Sequence, residues 1–243
     1  MKNYTGEDIR NIGIAAHGGA GKTSLVEAML YTMGATTRLG TVEQGNTSSD
    51  YNDDEIERQI SISTSLLHGE WNKCKINIID TPGFFDFFGD VICGLRDVDN
   101  VLIMVSASAG IEVGTEQVWG LAEKYEKPVT FVLNKLDREN VNIDQLFSSL
   151  QERFGQQAHA VQFPVETGHN FFKVIDVLKM KLLTYPQDKS GKPTIEDIPA
   201  DMQGKAEELR TQLIEAVAET NDELLEKFFE AGELTPEEFS EGF

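Results

Sequence analysis

The segment Ala16-His17-Gly18-Gly19-Ala20-Gly21-Lys22-Thr23 limits what this chain can fold into more than any other. Before it runs Asn11-Ile12-Gly13-Ile14-Ala15-Ala16, apolar and strand-like; after it, Leu25, Val26, Met29 and Leu30 recur at helical spacing between Lys22 and Met33. A strand that ends in a glycine-rich turn and opens at once into a helix has the form of a phosphate-binding loop. Gly18, Gly19 and Gly21 leave room for successive N–H groups to close around anionic oxygens. Lys22 neutralises them, Thr23 offers a hydroxyl to a magnesium ion, and the helix N-terminus adds its dipole. Ala16 stands at the leading position, usually glycine, and Ser24 continues the loop into the helix.

Two further motifs say what the phosphates belong to. Asp80-Thr81-Pro82-Gly83 follows the apolar run from Lys73 to Ile79, which places Asp80 to hold a magnesium-bound water and Gly83 to offer its N–H to a terminal phosphate. Asn134-Lys135-Leu136-Asp137 ends the apolar run from Val129 to Leu133. A carboxylate there accepts two hydrogen bonds, from the guanine N1–H and 2-amino group, whereas adenine presents a mismatched edge. The three motifs, in this order, predict a site for GTP or GDP with Mg2+.

Around these motifs, apolar runs at Asn100 to Ser106 and Val129 to Leu133 alternate with helical spacing up to Arg96, from Thr115 to Tyr125 and from Ile143 to Phe154. That rhythm predicts an α/β fold, a mainly parallel sheet covered by helices. Ile60 to Trp71 and Lys73 to Ile79 read as a strand pair close enough for a hairpin, and the polar stretch from Gly34 to Arg58 as a long mobile loop. From Ala158 the rhythm changes to strand-like pieces at 160–165 and 177–183 and then to helices. The expected division is therefore a GTP-binding domain over 1–157 and an inserted α+β subdomain over 158–243. Thr235-Pro236-Glu237-Glu238 is a capping box that opens a helix about two turns from Phe243, which suggests a fragment of a longer protein.

The formal net charge of −20 argues against a broad phosphate-tracking surface, so free nucleic acid is not expected as a partner. From Tyr185 to Phe243 there are 16 Asp and Glu against 5 Lys and Arg, an excess of 11 negative charges in the insertion. A solvated helical surface explains it; so does a docking face for a basic protein. The polar start and the absence of a long apolar run predict no membrane segment and a cytoplasmic location. Cys74 and Cys93, without metal or redox spacing, read as reduced core thiols.

The sequence resembles the translational GTPases, and among them elongation factor G and its G-like paralogues. The likeness runs from Asn11-Ile-Gly-Ile-Ala-Ala-His through Asn134-Lys-Leu-Asp-Arg to Val174-Ile-Asp-Val-Leu-Lys-Met-Lys in the insertion. It implies a monomeric factor that acts on the ribosome in translocation, with the acidic insertion meeting the ribosomal stalk protein. It also implies that Arg58-Gln59-Ile60-Ser61-Ile62 is the first switch, so that Ser61 joins Thr23 and, through water, Asp80 in holding magnesium. The chain ends before the family's last nucleotide motif, the loop that backs the guanine.

The departures from the family pattern gather around catalysis. Where the family has a water-orienting histidine after Asp-Thr-Pro-Gly, this chain has Phe84, beside the catalytic-position residues Lys22 and Gly83. Loss of such a group is worth about 100- to 10,000-fold in rate. Gly18 stands where an apolar side chain would form half of a gate over the water, leaving Ile60 alone. Gly19 replaces an aspartate that helps to bind a monovalent cation, and Gln59 replaces the switch glycine. The expectation is nucleotide binding with weakened hydrolysis. The rival readings are a non-hydrolysing GTP-gated ribosome ligand, a ribosomal-protection factor of the tetracycline-resistance type, and a P-loop kinase, the last disfavoured by Asn134 to Asp137.

Overall fold

The computed structural model describes residues 3–187 and 191–243, so Met1 and Lys2 of the polar start, and Asp188 and Lys189 of the acidic stretch, lie outside the described residues. The chain divides into two compact units, Met1–Leu136 and Asp137–Phe243.

The first unit runs β1 (Ile9–Ala16), α1 (Lys22–Thr32), α2 (Asp53–Arg58), β2 (Ser65–Trp71), β3 (Cys74–Asp80), α3 (Phe88–Arg96), β4 (Asn100–Ser106), α4 (Val113–Lys124) and β5 (Val129–Asn134). The strands lie in the order β2-β3-β1-β4-β5, all parallel except β2, which returns antiparallel on β3 as the expected hairpin. Strand alternation sends Ile14 and Ala16 to the face covered by Val26 and Leu30 of α1, and Ala15 to the face covered by Leu95 of α3 and Val118 and Ala122 of α4. Apolar side chains on both faces of β1 account for its unbroken apolar run, and the parallel sheet has helices on each side.

The second unit contains α5 (Ile143–Phe154), the strands β6 (Gln162–Pro164), β7 (Lys173–Asp176), β8 (Lys181–Thr184) and β9 (Thr194–Glu196), and the helices α6 (Ala200–Ala218), α7 (Asp222–Ala231) and α8 (Pro236–Gly242). Its sheet is antiparallel in the order β6-β7-β8-β9, and Phe163, Ile175, Val177 and Leu182 pack with Ile198 and with Ala206 of α6. Thr235 and Glu238 form the capping box of α8, with Thr235 N–H donating to Glu238 Oε2 at 2.9 Å.

Several local expectations are corrected. Residues 60–64 are not strand, because Ile62 and Ser63 donate their N–H groups to the Glu55 carboxylate at 2.9 and 3.0 Å instead of to a ladder. The strand expected over 177–183 begins only at Lys181; Asp176 accepts from Lys179 N–H and Met180 takes a left-handed conformation, which makes a turn. Cys74 is half-buried and Cys93 is exposed, so both thiols are free but neither belongs to the core. The stretch from Gly34 to Arg58 contains α2 and is tied to the core by buried carboxylates.

Candidate nucleotide-binding site

Parallel pairing brings the three motifs to one edge of the sheet. Ile14 is opposite Asp80, Ala16 opposite Met104, and Ser106 opposite Asn134, so the C-terminal ends of β1, β3 and β5 finish together. This is the edge at which an open α/β sheet binds ligands, where strand order reverses around β1. Thr81 fastens the second motif there: its N–H and its hydroxyl both donate to Ile14 O, at 3.2 and 2.8 Å. Pro82 is buried behind it.

The loop from Ala16 to Gly21 is braced from β5. Asn134 Nδ2 donates to Ala20 O at 2.9 Å and Lys135 Nζ to Gly19 O at 2.7 Å. Gly21 has φ of +101°, and a Cβ there would meet Asn134 Nδ2 at 2.5 Å, so both backbone conformation and brace require glycine. With its carbonyls held from behind, the loop is free to turn N–H groups toward an anion. His17 lies beside the start of α4, against Gly114, its Nε2 3.5 Å from Glu112 Oε1. Ser24 is exposed on the first turn of α1, Leu136 is half-buried, and Asp137 is the exposed first residue of the second unit.

At the start of α1 the hydroxyl of Thr23 lies 3.1 Å from that of Ser61 and 3.2 Å from Asp80 Oδ2. Asp80 is buried, and its other oxygen, Oδ1, has no hydrogen-bond partner among the described residues. Burial pushes the Asp80 carboxyl up to about 6 against the pull of the Lys22 ammonium. Burial likewise lowers the pKa of Lys22, opposed by Asp80 and Asp50. Two hydroxyls and a carboxylate with an unsatisfied buried oxygen make a hard, all-oxygen donor set of the kind that suits Mg2+. Thr23, Ser61 and Asp80 therefore fit that ion.

Gly83 packs directly on the loop. A Cβ on Gly83 would collide with Lys22 Nζ and approach Gly18 Cα to 2.9 Å. The ring of Phe84 lies against Gly18, and Phe84, Phe85, Phe88, Val91, Val113 and Val118 contribute apolar lining to a cavity of about 420 Å³ that reaches Ala16 and His17. Phe85 stacks on Phe88 with ring centroids 6.1 Å apart.

Three functional carboxylates escaped the sequence reading. Glu27, fully buried on α1, accepts the N–H groups of Gly40 and Ser48 and so pins the loop before α2. Glu55 accepts from Asn52, Ile62 and Ser63, which holds Ser61 beside Thr23. Burial raises the Glu55 pKa, but these hydrogen bonds outweigh it and leave it lowered. Asp50, buried near Lys22 and Ser61, is raised above the ordinary carboxylate range by burial. The capping pattern Asn52-x-x-Glu55 signals Glu55, and a charge in the buried stripe with Val26 and Leu30 signals Glu27. Nothing local signals Asp50.

Residues 7–236 match the family model described as the elongation factor Tu GTP binding domain. A crystal structure of a protein from Thermus thermophilus is similar at 32% sequence identity and a TM-score of 0.90, covering 98% of this chain. This chain spans only 35% of that one.

Proposed function

The chain belongs to the family of the elongation factor Tu GTP-binding domain, and from that premise we propose that it is the GTP-binding domain of an elongation factor G-like translation factor, with weakened hydrolysis. Members of the family bind GTP and GDP with Mg2+, and the observation that carries the reading to this chain is the convergence of Lys22, Thr23, Ser61 and Asp80 on one sheet edge. In this reading Lys22 and the N–H groups of Gly18 to Thr23 hold the phosphates. Asn134 and Lys135 brace the loop, and Asp137 supplies the carboxylate for the guanine edge. Thr23, Ser61 and, through water, Asp80 would hold a magnesium ion, which when bound would neutralise phosphate charge. Gly83 offers its N–H to the terminal phosphate, and Thr81 keeps it in place.

The match to translation-factor domains, and the likeness of the insertion to elongation factor G, support action on the ribosome in the cytoplasm as a monomer. The acidic helices α6 to α8 support contact with the stalk protein. Retention of the chain on immobilised stalk protein, lost as salt is raised, checks that contact; no retention at low salt removes it. Phe84 supports a second reading, in which GTP acts as a conformational ligand and not as a substrate. Titration with fluorescent GTP and ATP, with magnesium and then with EDTA, tests the main reading. Binding of GTP alone, weakened by EDTA, supports it, and a preference for ATP overturns it.

A further inference from the structure

We propose that the bare Cα of Gly18 is the seat of the Phe84 ring, and that this pair latches the Asp80 to Phe84 turn onto the phosphate loop. The inference rests on the nucleotide-binding reading and deepens it, since it makes Gly18 a positioning residue for the terminal phosphate and for the water that would attack it. A Cβ built on Gly18 falls 3.2 Å from Phe84 Cε1 and Cζ and 3.4 Å from Cε2, so the tip of the ring points at the glycine. That spacing is tighter than ordinary van der Waals contact, and any side chain at position 18 moves the ring. The same glycine receives Gly83, whose Cβ position lies 2.9 Å from Gly18 Cα and 3.2 Å from Gly18 N. The turn thus touches the loop twice at a single residue.

The ends of this turn are fixed independently. Thr81 is bonded twice to Ile14 O, and Phe85 stacks on Phe88, which packs against the core under α3 and α4. Between those anchors Phe84 has ordinary extended backbone angles, φ −94° and ψ 142°, so the ring is held by its contact and not by strain. It is 43% exposed, which makes the contact small enough to open. While seated, the ring puts a carbon surface without donor or acceptor beside Gly83, where an attacking water needs a polar partner. The space that a side chain on the loop would fill is taken by the side chain of the turn.

A double-substitution cycle in the 243-residue chain tests the pair: Gly18→Val in the parent and in a Phe84→Ala background, reading magnesium-GTP and GDP affinities. Valine evicts the ring and carries Gly83 N–H off the terminal phosphate, so GTP weakens relative to GDP by about tenfold in the parent and by less than about twofold in the Phe84→Ala background. A loop merely damaged by the side chain weakens both nucleotides alike, because both use the same N–H groups. Equal loss of GTP and GDP, or equal effects in the two backgrounds, overturns the proposal. Gly18→Ala, a smaller intrusion, gives a smaller shift of the same sign and serves if the valine variant fails to fold. If the parent binds neither nucleotide, the functional reading fails, while the pair is still read in nucleotide-free thermal melts. There Gly18→Ala lowers Tm in the parent and leaves the Phe84→Ala background unchanged, and equal shifts in both overturn the pair.

Discussion

The two flanks of the phosphate loop are built from different chemistry. On the β5 flank, Asn134 and Lys135 hold Ala20 and Gly19 by hydrogen bonds of 2.9 and 2.7 Å, directed contacts that fix the loop's shape. On the β3 flank, a phenyl ring and two glycines meet without a directed bond. A hydrogen bond fixes angle as well as distance, and apolar contact only excludes water. Binding a nucleotide needs the first, while hydrolysing one needs a polar group placed on the second. The comparison teaches that the two flanks have separate supports, directed bonds on the β5 side and apolar packing on the β3 side, and the proposed function assigns affinity to the first and turnover to the second.

The largest effect expected from this contrast is on the apolar flank. Phe84→His gives the turn a donor and acceptor, and single-turnover GTP hydrolysis rises about 100-fold or more; an unchanged rate breaks the contrast. On the phosphates themselves, Lys22→Ala removes charge-assisted bonds, and GTP and GDP both weaken about 100-fold in equilibrium titration. Asp80 gives a pH test. Asp80 sits at about 6 in the folded protein against 3.8 ordinarily, so the native state holds an extra proton between those values. Asp80 therefore contributes a fall in stability of about 3 kcal/mol in EDTA as pH rises through that window, and denaturant unfolding shows that part of the fall removed by Asp80→Asn. Glu55→Ala leaves the N–H groups of Ile62 and Ser63 without their acceptor and lowers unfolding stability by about 2 kcal/mol. The smallest effect sharpens the bonded flank: Lys135→Ala costs about 1 kcal/mol of nucleotide affinity, equally for GTP and GDP.

Much of this architecture is legible in the sequence because its signals are local. The run from Ile12 to Ala16, the loop glycines and the helical spacing after Lys22 specify β1, loop and α1 without reference to anything distant. The alternation of apolar strand and helix then places the second and third motifs at the same edge through parallel pairing. What the sequence conceals are contacts across long separations. Glu27 and Glu55 turn a polar loop into an anchored one by accepting N–H groups up to 21 residues away, as Glu27 does from Ser48. The alternating Ile60, Ile62 and Thr64 look like strand, yet the N–H groups of Ile62 and Ser63 are diverted to the Glu55 carboxylate. Gly18 and Phe84 each read as a loss when taken alone. Only the fold shows that they touch.

Whether the apolar flank limits turnover is decided by release of phosphate from stoichiometrically bound magnesium-GTP by this chain, with and without ribosomes. Tight, GTP-selective binding is expected, with phosphate release that stays slow in both cases and is accelerated by Phe84→His. Rapid release by the parent chain, at a rate that Phe84→His does not raise, would contradict it.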